Sequence, residues 1–505
     1  MTESTDRLKA FSIDGGTVER VVRLESVTIP EPNVLHVQIA DSGPYYRVEM
    51  ILRPSEQSRI RVVVCLPEPE NWNGKFLGTG NGGFAGTIAE MALLGGVSRR
   101  YAVANTDMGT SADPDECIGK EEIYKDYGYR ATHLMTEAGK TLVEWFYGKK
   151  AQYSYFFGGS TGGQQAFSEA ERYPEDYDGI VCLSPALDRV RLHTFFVWNW
   201  QQIHREKDGT FTPVQAADWR DSVVKVLGRR CGSNPDDLFL AYPGRIKTNP
   251  MDDPEIRKEA EKLTEGQRRA LRGIYDGPRD QVTGGRIIAH FLPGTEAESL
   301  SLADISDREK FSHEFFYLFR WIFGKDFDFM NFDFHDDFLR AEDRLGPMLN
   351  ANNPDLSAFR KHGGRLLTVG GSSDAIIPYT GFLDYYRKVT ALQGGLDKTR
   401  EFFRFVLMPG FAHTIGGQGV QDVGIAGISA TPRDAEHDAL CAMEDWVERG
   451  SAPERLLGTH FERDTNGIRF GYARPAYMYP SVTACTGGDP KNPMNYQPID
   501  DASAY

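Results

Sequence analysis

Cysteine is scarce in this chain of 505 residues. The six cysteines are scattered along the sequence, and no two of them form a Cys-x-x-Cys pair. The usual spacing of structural zinc ligands is therefore missing, and so is a dense disulfide framework. Free thiols in a reducing compartment are the simplest interpretation, which predicts a cytoplasmic protein.

Basic charge and long apolar runs are lacking as well. Acidic side chains outnumber basic ones by 72 to 57, which gives a net charge of −15. This balance argues against partners such as nucleic acid or anionic lipid, because no basic excess is available to neutralise phosphates. No run reaches 18 apolar residues, and the first residues lack a basic segment followed by an apolar one. Neither a membrane span nor a secretory signal is therefore predicted.

Segments typical of strands and helices alternate in two parts of the chain. Residues 59–67, 74–83 and 101–109 have the composition of buried strands, and residues 131–148 carry apolar side chains at helical spacing. The alternation resumes with a strand pattern at 363–374. Strands alternating with helices predict an α/β fold with a mainly parallel sheet.

The stretch between these two parts differs in composition. In residues 188–345 aromatic side chains become dense, and amphipathic segments alternate with loops rich in Gly and Pro. We interpret this stretch as an inserted domain, which divides the chain into 1–187, 188–345 and 346–505. A tail rich in Gly, Pro and Tyr, from about residue 452, is expected to wrap the surface. Residues 33–40 alternate like a further strand near the N-terminus.

Residues 158–162 read GGSTG and match the pattern Gly-x-Ser-x-Gly. A nucleophile on a sharp strand-to-helix turn sits at strained backbone angles, and small neighbours allow the turn to pack tightly. The helix that follows points its N-terminus at the site and favours a developing oxyanion. Ser160 is thus the predicted nucleophile. The alternative is an incidental serine in a glycine-rich turn, which the flanking strand and helix disfavour.

A weak nucleophile needs a base, and the base needs an acid to orient it. Asp374 follows the strand-like LLTVGG, and His413 follows FVLMPG, so the chain order is Ser, Asp, His. Loops at the carboxyl edge of a parallel sheet would bring these residues together. The alternatives are that Asp374 is an ordinary turn aspartate and that His413 is an ordinary loop histidine.

An oxyanion hole needs two backbone N–H donors. Thr161, directly after the nucleophile, should supply one, and Gly82 or Gly83 in the loop GTGNGGFAG should supply the other. The same loop spells Gly-x-Gly-x-x-Gly, and Asp107 ends a strand about 20 residues later, which is the pattern of a dinucleotide site. An NAD(P)-dependent oxidoreductase is therefore a remote alternative, which would leave Asp374 and His413 without a role.

Several stretches together resemble the tannase and feruloyl esterase family over most of the chain. They are GNGGFAG (80–86), NTDMG (105–109), YGYRATH (127–133), FFGGSTGGQQAFSEAERYPEDYDGIVCLSPA (156–186), IYDGPRDQVTGG (274–285), SDAIIP (373–378), DYYRKV (384–389) and PGFAHTIGG (409–417). The resemblance implies an α/β-hydrolase core with a large lid inserted between the nucleophile and the acid. It also implies Ser160 as nucleophile, Asp374 as acid and His413 as base.

The resemblance implies an activity as well as a fold. Family members hydrolyse esters of aromatic acids, such as galloyl and hydroxycinnamoyl esters, so a small aromatic or polyketide-like ester is the expected substrate. An acyltransferase or a C–C bond hydrolase with the same triad is the alternative, and a binding protein is disfavoured because all three triad positions are intact. No cofactor is implied, and the sequence predicts no oligomeric state.

Two departures from the family pattern stand out. Many members place a cysteine before the serine and another after the histidine, joined by a disulfide; here these positions are Gly159 and Thr414. Secreted members often carry an aspartate-rich calcium loop in the lid, and the matching CGSNPDDLFLAYPG (231–244) lacks its pattern. We therefore predict no metal, and interpret Asp236 and Asp237 as a solvated acidic turn.

Aromatic side chains of the insert are candidates for lining a pocket around a planar acyl group. The candidates are Phe195, Trp198, Phe316, Tyr317 and Trp321, together with Phe411 near the histidine. Each of them singly is more simply part of the lid core, and one or two are expected to reach a ligand. Arg320 is expected to form a salt bridge with one of the many lid acids rather than to meet a substrate.

Overall fold

The structure is a computed structural model, and it describes residues 3–27, 42–424, 431–464 and 467–501. The strand predicted at 33–40 lies outside these ranges. The strands are β1 (Gly16–Leu24), β2 (Tyr45–Leu52), β3 (Ile60–Pro67), β4 (Lys75–Thr79), β5 (Ala102–Thr106), β6 (Tyr153–Gly159), β7 (Gly179–Leu183), β8 (Arg365–Gly371), β9 (Phe403–Met408), β10 (Arg455–Asp464), β11 (Gly467–Tyr477), β12 (Ser481–Cys485) and β13 (Tyr496–Asp500).

Helices fill most of the chain between the strands. They are α1 (Glu3–Lys9), α2 (Glu90–Ser98), α3 (Glu121–Lys125), α4 (Ala131–Tyr147), α5 (Thr161–Arg172), α6 (Arg189–His204), α7 (Pro213–Leu227), α8 (Pro254–Glu259), α9 (Glu265–Asp276), α10 (Leu302–Ile305), α11 (Arg308–Phe315), α12 (Tyr317–Phe323), α13 (Asp336–Leu349), α14 (Ser357–His362), α15 (Tyr379–Leu392), α16 (Leu396–Arg400) and α17 (Ala439–Arg449). Within the described ranges, none is long and apolar enough to cross a lipid bilayer.

A nine-stranded sheet forms the centre, in the order β1-β2-β3-β5-β4-β6-β7-β8-β9. Every pairing from β5 to β9 along this order is parallel, whereas β1, β2, β3 and β5 pair antiparallel. The mainly parallel sheet of the α/β prediction is confirmed.

The parallel strands are apolar throughout because helices cover both faces of the sheet. Side chains alternate between the faces: Phe156 packs with α4 and α5 on one side, and Tyr155 and Phe157 pack in the cluster with α2 and α17 on the other. The helix predicted at 131–148 is confirmed as α4. It ends where Gly148 turns to a φ of +71°.

Helices α6 to α13 lie between β7 and β8, where the sequence predicts an insert at 188–345. Their aromatic side chains pack on one another: Phe311 stacks on Phe315 at 4.6 Å, and Phe319 on Phe332 at 5.3 Å between ring centroids. These rings are continuous with the core on the α4 and α5 face of the sheet. The division into domains stays a prediction.

The tail from residue 452 is more regular than the sequence analysis expected. It forms two antiparallel pairs, β10 with β11 and β12 with β13, and the Met478 backbone bridges to Val406 in β9. Turn-forming residues dominate its composition, so the alternation that marks strands is weak there.

Candidate active site

Ser160 occupies the turn between β6 and α5 in a backbone conformation that few residues adopt. Its φ is +58° and its ψ is −116°. The Ser160 N–H donates to the Leu183 carbonyl at 2.9 Å. The Ser160 carbonyl accepts from the N–H groups of Gly163, at 2.9 Å, and Ala186, at 3.1 Å. A strained turn pinned on both sides is typical of nucleophiles that project from a sheet edge.

The glycines around this turn leave no space for larger residues. A Cβ atom on Gly158 would overlap the Gly162 carbonyl oxygen, and one on Gly80 would overlap the Gly162 Cα. A Cβ atom on Gly163 would come within 2.6 Å of the Pro185 Cα. Close packing of backbone on backbone is thus the physical reason for the glycine cluster.

His413 and Asp374 meet at the carboxyl ends of β9 and β8. The His413 Nδ1 lies 2.9 Å from the Asp374 Oδ2. The other carboxylate oxygen of Asp374 accepts the backbone N–H groups of Ile376 and Ile377, each at 2.9 Å. Asp374 is fully buried, whereas the His413 side chain is 16% exposed. With Nδ1 assigned as the donor, this arrangement fixes the imidazole ring and leaves its Nε2 to act as a base.

The nucleophile turn and the histidine loop touch at the two positions where many family members carry cysteine. A Cβ atom on Gly159 would lie 2.8 Å from the Thr414 Cγ2. Thr414 itself has a φ of +59°. A threonine methyl group thus packs directly on a glycine at the place of the family disulfide.

The proposed oxyanion donors are Thr161, Gly82 and Gly83, and the Thr161 hydroxyl donates to the Gly83 carbonyl at 2.5 Å. The Cβ direction of both glycines is free of atoms within 4 Å, and both residues are exposed. Among the backbone hydrogen bonds of the described residues, none is donated by the N–H of Gly82 or Gly83. Thr161 is the first residue of α5, so its N–H has no acceptor within the helix. Their role as oxyanion hole stays a prediction.

The Gly83 carbonyl anchors this loop to buried side chains on the side that faces the protein interior. It accepts hydrogen bonds from the Thr161 hydroxyl at 2.5 Å, the Tyr127 hydroxyl at 2.9 Å, the Tyr317 hydroxyl at 3.2 Å and the Arg189 guanidinium at 3.3 Å. These groups come from four different helical segments. The loop geometry is therefore built in before any substrate arrives.

Arg189 is the residue of this site that the sequence analysis missed. It is 3% exposed, and its guanidinium donates to the Thr161 hydroxyl at 2.7 Å, the Gln164 side-chain oxygen at 3.2 Å and the Tyr127 hydroxyl. No carboxylate of the described residues lies within ion-pair distance of it. Burial raises the pKa of Tyr127 well above its usual value, so this phenol stays neutral beside the cation. The only signal in the sequence is an arginine directly after the β7 loop.

The contacts of the glycine-rich loop do not favour a dinucleotide site. A Cβ atom on Gly78 would overlap the Tyr177 hydroxyl, so this backbone is already covered. The Asp107 carboxylate accepts the N–H groups of Arg61 at 3.0 Å and Gly109 at 2.8 Å. The next helix, α2, begins only at Glu90. The acidic residue and the glycines thus serve internal contacts.

Tyr317 is the one candidate of the aromatic set that contacts the predicted oxyanion loop, through its hydroxyl and an edge contact with Phe84 at 5.4 Å. The others pack elsewhere: Phe195 and Phe316 are buried in the lid core, Trp198 donates to the Gly273 carbonyl, Trp321 stacks on Tyr124, and Phe411 is buried on the α2 and α17 face. Their contact with a ligand stays a prediction. Arg320 forms the predicted salt bridge, but with Asp115 at 2.7 Å, an acid that precedes the lid rather than one of the lid acids.

The lid segment that matches the calcium loop has its carboxylates arranged differently. Asp237 accepts the Arg474 guanidinium at 2.9 Å and the Asn234 N–H at 2.8 Å, so it is a nearly buried ion pair rather than part of a solvated turn. Asp236 is exposed. This donor set does not fit a calcium ion, which needs six to eight oxygen ligands.

A groove of about 640 Å³ opens beside the Asp374 loop. Its apolar lining includes Leu187, Ile287 and Ile377, and its rim carries Arg286 and Lys388. Neither Ser160 nor His413 lines it. The groove therefore lies next to the catalytic turn and is not the space directly above Ser160.

Comparison with known proteins gives a consistent result. The family model described as tannase and feruloyl esterase matches residues 47–499. An uncharacterised esterase of Xanthomonas campestris pv. campestris is 30% identical, covering 98% of this chain and 90% of that protein. Feruloyl esterase B of Aspergillus niger is 30% identical, covering 92% and 87%. The crystal structure of feruloyl esterase B from Aspergillus oryzae is 22% identical and superposes with a TM-score of 0.84 over 98% of this chain and all of that one.

Proposed function

The chain belongs to the tannase and feruloyl esterase family of carboxylic ester hydrolases, and we propose that it cleaves an aromatic ester through an acyl-enzyme on Ser160. The observation that carries the proposal is the pair of His413 and buried Asp374, 2.9 Å apart, at the same sheet edge as the strained Ser160 turn. The names of the relatives support an aromatic acyl group.

The reaction follows the chemistry of each group. His413 removes the Ser160 proton as the serine oxygen attacks the ester carbonyl, and the N–H groups of Thr161 and Gly82 or Gly83 receive the oxyanion. The tetrahedral intermediate collapses, the protonated His413 gives its proton to the leaving alcohol, and the acyl group stays on the serine. Water, deprotonated by His413, then attacks the acyl-enzyme and releases the acid.

The test is a comparison of wild type with Ser160→Ala on galloyl, feruloyl, caffeoyl, terephthaloyl and simple phenyl esters. Turnover should fall by about 10⁴-fold or more, because the nucleophile is gone while the fold is kept. Ser184→Ala is the matched control, since Ser184 also follows a parallel strand at positive φ. Its activity should match wild type. Undiminished turnover by Ser160→Ala would refute the nucleophile assignment.

A covalent probe separates the mechanism from the choice of substrate. A fluorophosphonate should label wild type at Ser160, found by peptide mass spectrometry, even if every ester of the panel is a poor substrate. Adding acceptor alcohols to the same reactions distinguishes hydrolysis from acyl transfer, because transfer yields a new ester. Labelling at another residue would count against the triad.

A further inference from the structure

A second cluster of ionisable side chains lies at the far end of the nucleophile helix. His133 on α4, Glu169 on α5 and Asp176 in the turn before β7 place one potential ligand atom each within 4.8 Å of one another. Glu169 follows Ser160 by nine residues along α5, which corresponds to about 13 Å of helix. The cluster is therefore separate from the catalytic turn.

Glu169 is the unusual member. Its side chain is 0% exposed, no N–H or O–H group of the described residues donates to its carboxylate, and the Asp176 carboxylate lies within hydrogen-bond distance of it. Buried carboxylates without partners are costly and rare, because the lost hydration is not replaced. The side chain reaches towards His133 and Asp176, so an additional cation or a shared proton is needed to satisfy it.

His133 is held in the orientation expected of a ligand. Its ring stacks on Tyr173 at 3.6 Å between centroids, with 3° between the planes. The Nδ1 lies 2.7 Å from the Asp176 Oδ2, and the Nε2 lies 3.6 Å from a carboxylate oxygen of Glu137. A histidine that binds a metal usually has a hydrogen-bonded carboxylate on its other ring nitrogen, and Glu137 would supply it on moving closer than its present 3.6 Å.

The charge balance also favours a cation. Lys140 is the ammonium group alongside, and it donates to the backbone carbonyl of Asp176. Glu137, Glu169, Asp176 and Asp178 surround the cluster, against Lys140 and, when it is protonated, the His133 imidazole, so acidic groups outnumber basic ones. The His133 and Asp176 side chains are 21% and 17% exposed, which leaves a route from solvent.

We propose that His133, Glu169 and Asp176 form a binding site for a divalent transition-metal ion such as Zn²⁺. One imidazole nitrogen and two carboxylate oxygens are ligands that Zn²⁺ accepts, with water completing the shell. The three ligands are 36 and 7 residues apart and follow no known metal-binding spacing, so they were not recognised when the missing calcium-loop pattern led us to predict no metal.

The bound ion joins α4, α5 and the turn before β7. It would thereby brace the helix that begins at Ser160, in a chain whose nucleophile and histidine loops lack the family disulfide. Its contribution is to stability. Esterase turnover should change little, because the ion lies at the opposite end of α5 from the nucleophile.

The test uses the full-length protein, stripped with a chelator and titrated with Zn²⁺ by calorimetry. We expect one equivalent to bind wild type with a dissociation constant below about 10 µM, and Tm to rise with Zn²⁺ concentration. Glu169→Gln keeps the side-chain volume and should weaken binding at least about tenfold, since a charged ligand is lost. His133→Asn, at a partly exposed position, should do the same without threatening the fold.

Glu171→Gln is the matched control, because Glu171 is a partly buried acid on the same helix outside the cluster. It should bind Zn²⁺ as wild type does. Absence of Zn²⁺ binding to wild type would overturn the proposal and indicate that Glu169 and Asp176 share a proton instead. Equal binding by wild type, Glu169→Gln and His133→Asn would overturn it too, because the ion would then sit elsewhere.

Discussion

Arg189 places a buried positive charge against both halves of the predicted oxyanion hole. Its guanidinium contacts the Thr161 hydroxyl and the Gly83 carbonyl, and these two residues also bond to each other. The cation lies behind the loop, so it acts by positioning and by its field rather than by touching substrate. In a site of low dielectric constant, a fixed charge near a developing oxyanion has a large effect.

Replacement of this cation should therefore reduce kcat more than it raises KM. Arg189→Met is expected to lower kcat by about 10- to 100-fold, because Gly83 and Thr161 lose a shared donor and shift slightly. Arg189→Lys keeps the positive charge but not the several N–H donors of the guanidinium, so its kcat should lie between those of Arg189→Met and wild type. Steady-state kinetics on the best ester of the panel measures both parameters.

Arg205→Met is the control for this substitution, since Arg205 is exposed at the C-terminal end of the same helix α6. Its kcat should equal that of wild type. If Arg189→Met raised KM alone, the guanidinium would belong to substrate binding and the positioning role would be wrong.

Glu298 makes the stability of the folded protein depend on pH. Burial raises the pKa of this lid carboxyl to about 7, Arg220 at 4.0 Å opposes the shift, and Asp374 and Glu296 add to it. The unfolded carboxyl has its usual pKa near 4.5, so unfolding releases a proton between these values. Stability therefore falls as pH rises from about 4.5 to about 7 and levels off above, by about 3 kcal/mol in all.

Glu298→Gln should abolish this part of the pH dependence. The variant is expected to be more stable than wild type at pH 8, by up to about 3 kcal/mol, and to lose the advantage towards pH 4.5. Urea unfolding at a series of pH values measures the difference in the free energy of unfolding. Groups that do not interact with Glu298 cancel in that difference, so parallel curves for the two proteins would show that Glu298 does not titrate in this range.

At the scale of elements, the sequence allowed prediction of most of the catalytic framework. The strand-to-helix turn at Ser160 and the strands before Asp374 and His413 carry strong local signals, namely apolar runs that end in glycine-rich turns. Arg189 and the cluster at Glu169 depend on contacts between distant segments, which periodicity does not contain. The C-terminal hairpins were missed for another reason, since their composition favours turns over strands.

Alanine substitutions at two glycines, one at the nucleophile turn and one at the end of α4, measure how tightly the nucleophile turn is packed. Gly158→Ala should cost about 3 kcal/mol or more and remove activity, because the new methyl group overlaps the Gly162 carbonyl. Gly148→Ala, at the end of α4 with a φ of +71° and no atom within 4 Å, should cost only about 1 kcal/mol from backbone strain and leave activity intact. Chemical denaturation and ester assays distinguish them, and equal costs would mean that the turn can relax.

At the scale of the whole molecule, packing takes the place of covalent links. All six cysteines lie in the part of the chain that the structure describes, and all six are free thiols. Cys65, Cys117, Cys182 and Cys231 are buried. Where the loops of Ser160 and His413 meet, Gly159 packs against Thr414. A reductant should consequently leave kcat unchanged.

Thiol reactivity tests the same arrangement. Burial raises the pKa of Cys65, Cys231 and Cys441 to about 12, which suppresses the reactive thiolate at neutral pH. An aromatic disulfide reagent should therefore label about one thiol quickly in the native protein, the half-exposed Cys485, and all six after denaturation. Cys485→Ser should remove the fast phase and keep full activity. Fewer than six thiols in the denatured, unreduced protein would reveal a disulfide, and loss of turnover in reductant would show that this bond supports the site.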